Sequence, residues 1–185
     1  MILRVISYNI HKGFSPTNKK YTLPIIKEAI REVDAELVFL QEVIGENLLH
    51  PQNITDWPKE SQFEFLADTI WSHHAYGKNA VYPSGHHGNA ILSKYPINEW
   101  SNTEVSTNKF EHRGILHAKI HVPQKNQPLY CFCVHFGLTG KGRKIQLEKL
   151  CKKIDLLTPK DAPLIIAGDF NDWRKTASKV LTEYL

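Results

Sequence analysis

The hydrophobic and polar positions of the first forty residues predict a strand, a helix and a second strand. Residues 2–9 are rich in β-branched side chains and predict a buried strand that ends at Asn9. Apolar residues at helical spacing predict an amphipathic helix over Leu23–Val33. A second apolar run over 36–41 ends at Glu42. This order indicates a β-α-β unit with parallel strands and a right-handed crossover.

The middle of the chain has weaker patterns. The predicted elements are an irregular segment over 44–57, a helix over 60–72, a strand over 75–81, a turn-rich loop over 82–88 and a short strand over 89–93. The loop carries His86 and His87. These two histidines could reach a substrate from the loop, although a purely structural turn is an equally good explanation.

Strict alternation of apolar and polar residues is clearest over 115–122 and 129–136, and it predicts an antiparallel hairpin with His135 at its end. A helix is predicted over 143–157. The apolar run over 164–167 then ends at Gly168, which predicts a buried strand followed by two polar residues, Asp169 and Asn171. In extended backbone, side chains two residues apart point to the same side. A short tail over 174–185 follows.

Four apolar runs therefore end in polar residues, namely Asn9, Glu42, His135, and Asp169 with Asn171. Ligand sites form at strand ends in sheets built from β-α units. Each residue alone has a simpler explanation, such as a turn former, a helix cap, a structural histidine or an Asx turn. Their joint occurrence at strand ends favours a site.

The chemistry of this set points to phosphate. Carboxylate and amide oxygens suit Mg²⁺, which keeps several waters and shares a substrate phosphate. Such an ion polarises a phosphoryl oxygen. Histidine can donate to phosphate or shuttle a proton, and Arg113 could add a fork of donors, although an ordinary ion pair explains it equally well. The residues therefore predict metal-assisted hydrolysis of a phosphate ester.

Composition narrows the class of protein. The 185 residues allow one sizeable core and one domain over 1–185, and the net charge of +4 suits an anionic substrate without the basic stripe of a DNA-binding module. The three cysteines, Cys131, Cys133 and Cys151, have no disulfide spacing and predict free thiols in a reducing compartment. No signal peptide or membrane-spanning run is evident, so a cytoplasmic location is expected. Nothing in the sequence requires an obligate protein partner.

Five segments resemble the endonuclease/exonuclease/phosphatase superfamily, which includes DNase I-like nucleases, sphingomyelinases and inositol polyphosphate phosphatases. The segments are Tyr-Asn-Ile-His at 8–11, Val-Phe-Leu-Gln-Glu-Val at 38–43, Gly-Asn-Ala-Ile-Leu-Ser-Lys at 88–94, Val-His-Phe-Gly-Leu at 134–138 and Gly-Asp-Phe-Asn at 168–171. Their order is specific, and the chain looks most like the small bacterial cytosolic branch. The resemblance implies an α/β (α+β) fold, a DNase I-like four-layer α/β/β/α sandwich with two packed mixed β-sheets.

The resemblance also implies roles for individual residues. Glu42 would be the main metal carboxylate, with Asn9 beside it and Mg²⁺, or Mn²⁺, as the cofactor. Asp169 would orient the attacking water, Asn171 would hold the phosphate and the developing charge, and His135 would bind the scissile phosphate and could protonate the leaving oxygen. Arg113, Tyr76 and Asn89 would be further pocket residues, and His86 and His87 could join them from their loop. The substrate would be nucleic acid, a phospholipid head group or an inositol phosphate.

One departure from the family pattern affects the predicted activity. The pattern normally continues to a closing Ser-Asp-His, and these 185 residues contain none after Asn171. The chain therefore looks C-terminally truncated, without the final strands, and little turnover is expected from it. A phosphodiesterase in the complete protein is the first hypothesis. A catalytically impaired chain that only binds metal or phosphorylated ligands is the alternative.

Overall fold

A computed structural model describes residues 2–123, 125–173 and 176–184. The strands are β1 (Val5–Asn9), β2 (Leu37–Asn47), β3 (His73–Tyr82), β4 (Gly85–Ser93), β5 (Ile97–Glu104), β6 (Gly114–Ile120), β7 (Leu129–His135) and β8 (Leu164–Asp169). The helices are α1 (Leu23–Val33), α2 (His50–Asn53), α3 (Gln62–Ala67), α4 (Gly140–Leu157) and α5 (Thr176–Tyr184), with a 3-10 turn at His11–Gly13.

The strands form two four-stranded sheets, in the orders β1-β2-β4-β3 and β5-β6-β7-β8. Each sheet is mixed. In the first, β1 and β2 are parallel while β4 runs antiparallel to both β2 and β3. In the second, β5, β6 and β7 are antiparallel neighbours and β8 is parallel to β7. The predicted parallel pair β1–β2 and the predicted hairpin β6–β7 are both confirmed.

The side-chain alternation of β2 places the first sheet between two hydrophobic layers. Val38 and Leu40 are fully buried against α1 and α3. Leu37 and Phe39, on the opposite face, are fully buried between the two sheets. This β-strand therefore carries an almost continuous run of apolar residues because both of its faces are covered.

The second sheet is covered in the same way. Cys131 and Cys133 of β7 pack into the layer between the sheets. Phe132 and Val134, on the other face, pack with α4 side chains such as Leu150. The order of layers is therefore helix, sheet, sheet, helix, and the predicted four-layer sandwich of two mixed sheets is confirmed.

Two predictions for the N-terminal strands were wrong. The strand predicted over 2–9 is β1, which begins at Val5 and is largely unburied, with Tyr8 46% exposed. The reason is that β1 lies at one end of its sheet and pairs with β2 alone among the described strands. The second predicted strand does not end at Glu42, because β2 continues to Asn47 across a register shift.

Other boundaries also differ from the sequence predictions. The helix predicted over 60–72 is shorter and corresponds to α3, and most of the loop predicted over 82–88 is the start of β4. The segment predicted to be irregular over 44–57 contains the end of β2 and α2. The described part of the predicted tail over 174–185 forms α5. Strand β5 was not predicted because its outward residues are polar and Trp100 is 53% exposed. The amphipathic helix α1 was predicted with its observed bounds.

The state of the cysteines and the hydropathy of the helices were also predicted from the sequence. Cys131, Cys133 and Cys151 are free, and the first two are buried. Over the residues described, no helix has both the length and the apolar character needed to cross a bilayer.

Truncating Phe39 tests the layer between the sheets. Phe39 has no exposed surface, so Phe39→Ala should lower the free energy of unfolding by about 3–5 kcal/mol through lost burial and a residual cavity. Urea denaturation of the purified chain measures this. The matched control is Phe110→Ala, because Phe110 is 84% exposed and its removal should change the unfolding free energy by less than about 0.5 kcal/mol. Equal effects of the two substitutions would contradict the packing described.

Candidate functional site

Strand register brings three of the predicted residues together at one edge of the two sheets. His135 and Asp169 are the last residues of β7 and β8 and are direct partners in the parallel register. Asn9 is the last residue of β1. Its amide Nδ2 donates to Asp169 Oδ2 at 3.1 Å and to Glu42 Oε1 at 3.4 Å. Asn9 thus joins carboxylates from different sheets.

Glu42 reaches this edge through a distortion of β2 rather than from a strand end. The register between β2 and β4 shifts between Leu40 and Val43, and Glu42 has φ of 55°. A bulge of this kind re-aims a side chain out of the regular alternation. Positive φ is uncommon for a residue with a Cβ and is often found at functional sites.

Asp169 and Asn171 form an Asx turn, the simpler alternative for this pair. The backbone N–H of Asn171 donates to Asp169 Oδ1 at 2.9 Å, and Asn171 has φ of 48°. The assumption of extended backbone across this pair was therefore wrong. The turn still serves the site, because it places the Asn171 amide beside the end of β7, where Nδ2 donates to Phe136 O at 2.9 Å.

Arg113 approaches the same carbonyl. Its Nε donates to Phe136 O at 3.2 Å, so its guanidinium lies beside the Asn171 amide. Its charge also acts on His135, as the pKa of that histidine shows. The structure therefore brings Arg113 to the predicted site.

His11 and Lys12 belong to the site and were not among the predicted site residues. Lys12 Nζ lies 3.3 Å and His11 Nδ1 3.6 Å from Glu42 Oε2. The backbone N–H of His11 also donates to Asn9 Oδ1 at 3.0 Å. The available signal was their position, since only Ile10 separates them from the strand-end Asn9 in the sequence.

Burial and neighbouring charges shift the pKa values of Glu42 and His135. Burial alone would raise the pKa of Glu42, but Lys12, then His135 and the hydrogen bond from Asn9, outweigh burial and lower it. Burial, helped by Arg113, lowers the pKa of His135 to about 4, although Asp169 and Glu42 act in the opposite direction. Glu42 is therefore ionised near neutral pH and His135 is neutral.

The two neighbouring histidines of β4 have different surroundings. His87 pairs with Ile44, two residues beyond Glu42 on the neighbouring strand, so it lies beside the site. Burial lowers the pKa of His87 to about 4. His86 instead contacts the hydroxyl of Tyr76, with 3.0 Å between Nδ1 and the oxygen. Tyr76 packs against the helix-side cluster of the first sheet. None of the hydrogen bonds found in the described residues joins Tyr76 or His86 to the site carboxylates.

Asn89 lies behind the site and ties the sheets together. It is fully buried, and its Nδ2 donates to Gly114 O at 3.0 Å and Cys133 O at 3.4 Å. Its Oδ1 has no hydrogen-bond partner within the described structure. These contacts cross from the first sheet to the second, which is a structural position next to the strand that carries His135.

The donor set fits a divalent cation bound by few protein ligands. Glu42 Oε2 is buried and has no hydrogen bond within the described residues, although two basic groups lie near it. Among the same residues, no three His, Cys, Asp or Glu side chains form a cluster that could hold a metal ion. Mg²⁺ does not need such a cluster, because it usually keeps several waters and takes one or two carboxylates. Glu42 offers one such carboxylate oxygen, and Asn9 orients it, because the Asn9 Nδ2 faces Glu42 while its Oδ1 accepts the N–H of His11.

The chain belongs to the Endonuclease/Exonuclease/phosphatase family, which its residues 6–179 match. Members of this family are hydrolases that act on phosphate esters, and they generally use divalent metals. The chain is also 47% identical over 178 residues to the uncharacterized protein YbhP of Escherichia coli K12. That match covers 96% of this chain and 70% of YbhP.

Two solved structures share the fold at low sequence identity. An endonuclease/exonuclease/phosphatase from Beutenbergia cavernae DSM 12333 aligns with a TM-score of 0.73 at 22% identity, over 91% of this chain. D. rerio TDP2 complexed with single strand DNA product aligns with a TM-score of 0.67 at 20% identity, over 96% of this chain. The chain spans 47% of the first protein and 64% of the second.

Replacing His135 by Gln tests whether the site holds a neutral imidazole. The pKa of His135 is about 4 in the folded chain against an ordinary value of 6.5. As the pH falls below 6.5, the unfolded chain therefore takes up this proton first. The contribution of neutral His135 to the free energy of unfolding is therefore complete above pH 6.5 and is lost as the pH falls towards 4. In chelator, the unfolding free energy of His135→Gln should fall less steeply across this window than that of the unsubstituted chain, by up to about 1.4 kcal/mol per pH unit.

Urea denaturation between pH 7 and pH 4 measures the slope. The control is His121→Gln, because His121 is exposed and this variant should keep the slope of the unsubstituted chain. A slope unchanged by His135→Gln would contradict the assignment of a buried neutral histidine.

Proposed function

We propose that this chain carries the metal- and phosphate-binding residues of a divalent-metal-dependent hydrolase of phosphate esters, most specifically a phosphodiesterase. The observation that carries the proposal is the Asn9 amide, which lies 3.4 Å from Glu42 and 3.1 Å from Asp169 and so holds two carboxylates at one edge. His135 lies next to them, with its Nε2 3.8 Å from Asp169 Oδ2.

In this proposal, different residues of the chain bind the metal, orient the water and transfer a proton. Glu42, with Asn9 beside it, would hold Mg²⁺, or Mn²⁺, which when bound would polarise a phosphoryl oxygen and offset the charge of the transition state. Asp169 would orient the attacking water. Neutral His135 can donate one hydrogen bond to the phosphate and accept a proton at its other nitrogen.

The anion would be held by groups on the second sheet. Arg113 offers a planar fork of donors that suits phosphate oxygens. The Asn171 amide keeps a second hydrogen after its bond to Phe136 O and can use it on the same oxygens. His87 would line the pocket. The positions of Tyr76, His86 and Asn89 support structural roles for those three residues.

The substrate class and location remain part of the proposal. The loops around such a site, not the fold, select among nucleic acid, lipid head groups and inositol phosphates. A cytoplasmic location is supported by the three free cysteines, because free thiols persist in reducing compartments.

A second candidate is a chain that binds metal or phosphorylated ligands without turning them over. It is favoured by the contacts of Asp169, the proposed water-orienting group, because both of its carboxylate oxygens already accept hydrogen bonds within the chain, from the Asn9 amide and from the N–H of Asn171. Metal binding without hydrolysis would support this candidate over the first.

Substitution of Glu42 tests both candidates. Glu42→Ala should weaken Mn²⁺ binding, measured by electron paramagnetic resonance of free Mn²⁺, because it removes the main carboxylate. If the chain hydrolyses bis(p-nitrophenyl) phosphate, Glu42→Ala and Asp169→Asn should each lower kcat/KM by more than about 100-fold, equivalent to several kcal/mol of transition-state stabilisation.

Glu99→Gln provides the control for lost negative charge. Glu99 is a surface residue paired with Lys119 at 3.2 Å, and its substitution should change neither readout. Undiminished Mn²⁺ binding by Glu42→Ala would exclude the proposed metal site. Undiminished hydrolysis by Asp169→Asn would exclude the role given to Asp169.

A further inference from the structure

Lys12 makes an unusual contact with the proposed metal carboxylate. Its Nζ lies 3.3 Å from Glu42 Oε2, the oxygen that receives no hydrogen bond from the described residues. The other oxygen, Oε1, receives the Asn9 amide. The Glu42 side chain is 17% exposed, so the ammonium group compensates a largely buried negative charge. An uncompensated carboxylate in that position would be costly.

The backbone holds Lys12 in this place. Lys12 has φ of 58° and follows His11 with φ of 49°, two left-handed residues in succession. The buried side chain of Gln62 fixes the turn, because its Nε2 donates to Lys12 O at 2.8 Å. Its Oε1 accepts the N–H of Ile44, just beyond Glu42, at 2.9 Å. Gln62 therefore ties the Lys12 turn to the strand that carries Glu42.

This arrangement differs from the surface ion pairs of the chain. Lys119 and Glu99, for example, pair between neighbouring strands, and the Glu99 side chain is 69% exposed, against 17% for Glu42. Such pairs contribute little, since water screens both charges. Lys12 instead meets a buried oxygen from a backbone conformation that L-residues rarely adopt. The contact is built into the fold at the position where a metal ion would also have to bind.

We propose that Lys12 is an exchangeable counter-cation of Glu42: it neutralises the carboxylate in the metal-free protein, gives way to a divalent cation, and then binds the substrate phosphate. The inference rests on the proposed function. The reason for exchange is that an ammonium group and a divalent cation on the same oxygen repel each other. The long, flexible lysine stem allows the ammonium to move while the backbone stays fixed.

The charge balance of the site explains why metal binding would release Lys12 from Glu42 and favour a phosphate anion. Without metal, the carboxylates of Glu42 and Asp169 face the cations of Lys12 and Arg113. A divalent cation on Glu42 makes the site net positive and frees Lys12. A phosphate anion then offsets this positive charge, and the released ammonium and the Arg113 guanidinium would both bind it.

Substitution of Lys12 by Met tests the exchange, because Met keeps the length of the side chain and removes its charge. In the 185-residue chain, Lys12→Met should bind Mn²⁺ about tenfold more tightly, a difference of about 1.4 kcal/mol, as measured by electron paramagnetic resonance of free Mn²⁺. Lys12→Gly should do the same, and it removes the backbone strain as well as the charge. Lys119→Met is the control for lost positive charge and should leave Mn²⁺ affinity unchanged.

A second readout separates exchange from simple repulsion. At saturating Mn²⁺, inorganic phosphate should bind Lys12→Met several-fold more weakly than the unsubstituted chain, by isothermal titration calorimetry, whereas Lys12→Arg should retain most of the affinity. Unchanged or weaker Mn²⁺ binding in both Lys12→Met and Lys12→Gly would overturn the proposal, as would undiminished phosphate binding.

Failure of this inference can be told apart from failure of the proposed function. If Glu42→Ala keeps its Mn²⁺ affinity, the metal site itself is wrong and Lys12 has no cation to exchange with. If Glu42→Ala loses Mn²⁺ while both Lys12 variants bind it as the unsubstituted chain does, the metal site stands and only the counter-cation role is wrong.

Discussion

The hydrogen bonds of the Asn9 amide are the contact on which the candidate site depends. Asn9 ends a strand of the first sheet, Glu42 lies in a bulge of that sheet, and Asp169 ends a strand of the second. One Nδ2 group donates to both carboxylates. Two carboxylates at one edge would otherwise repel each other. Asn9 therefore links residues of both sheets into a single site.

The backbone around this contact is held in conformations that most residues avoid. Four of the seven non-glycine residues with positive φ in the described chain lie at the site: His11, Lys12, Glu42 and Asn171. Each such residue costs on the order of 1–3 kcal/mol and persists only when its surroundings fix it. Here the surroundings are the buried Gln62, the sheet bulge and the Asx turn. The regular core thus supports a strained edge.

Periodicity predicted the buried strands and the polar residues at their ends, and the resemblance to the family, not periodicity, implied the four-layer sandwich of two sheets. Alternating runs located the buried strands, and the polar residues that follow them, such as His135 and Asp169, meet through strand register. Sequence reasoning missed His11 and Lys12, because a 3-10 turn with two left-handed residues has no periodic signal. It placed Glu42 at a strand end because the polar residues Gln41 and Glu42 interrupt the apolar run, although the strand continues across the bulge. The edge strand β5 was also missed, because its residues are exposed or only half-buried and leave no run of buried apolar side chains in the sequence.

The most direct test of this account is a crystal structure of the chain grown with Mn²⁺, with anomalous diffraction used to locate the ion. The account predicts an anomalous peak bonded to Glu42 Oε2 beside the Asn9 amide, with the Lys12 ammonium no longer on that oxygen. An ion bound elsewhere, or the Lys12–Glu42 contact intact at saturating Mn²⁺, would contradict it.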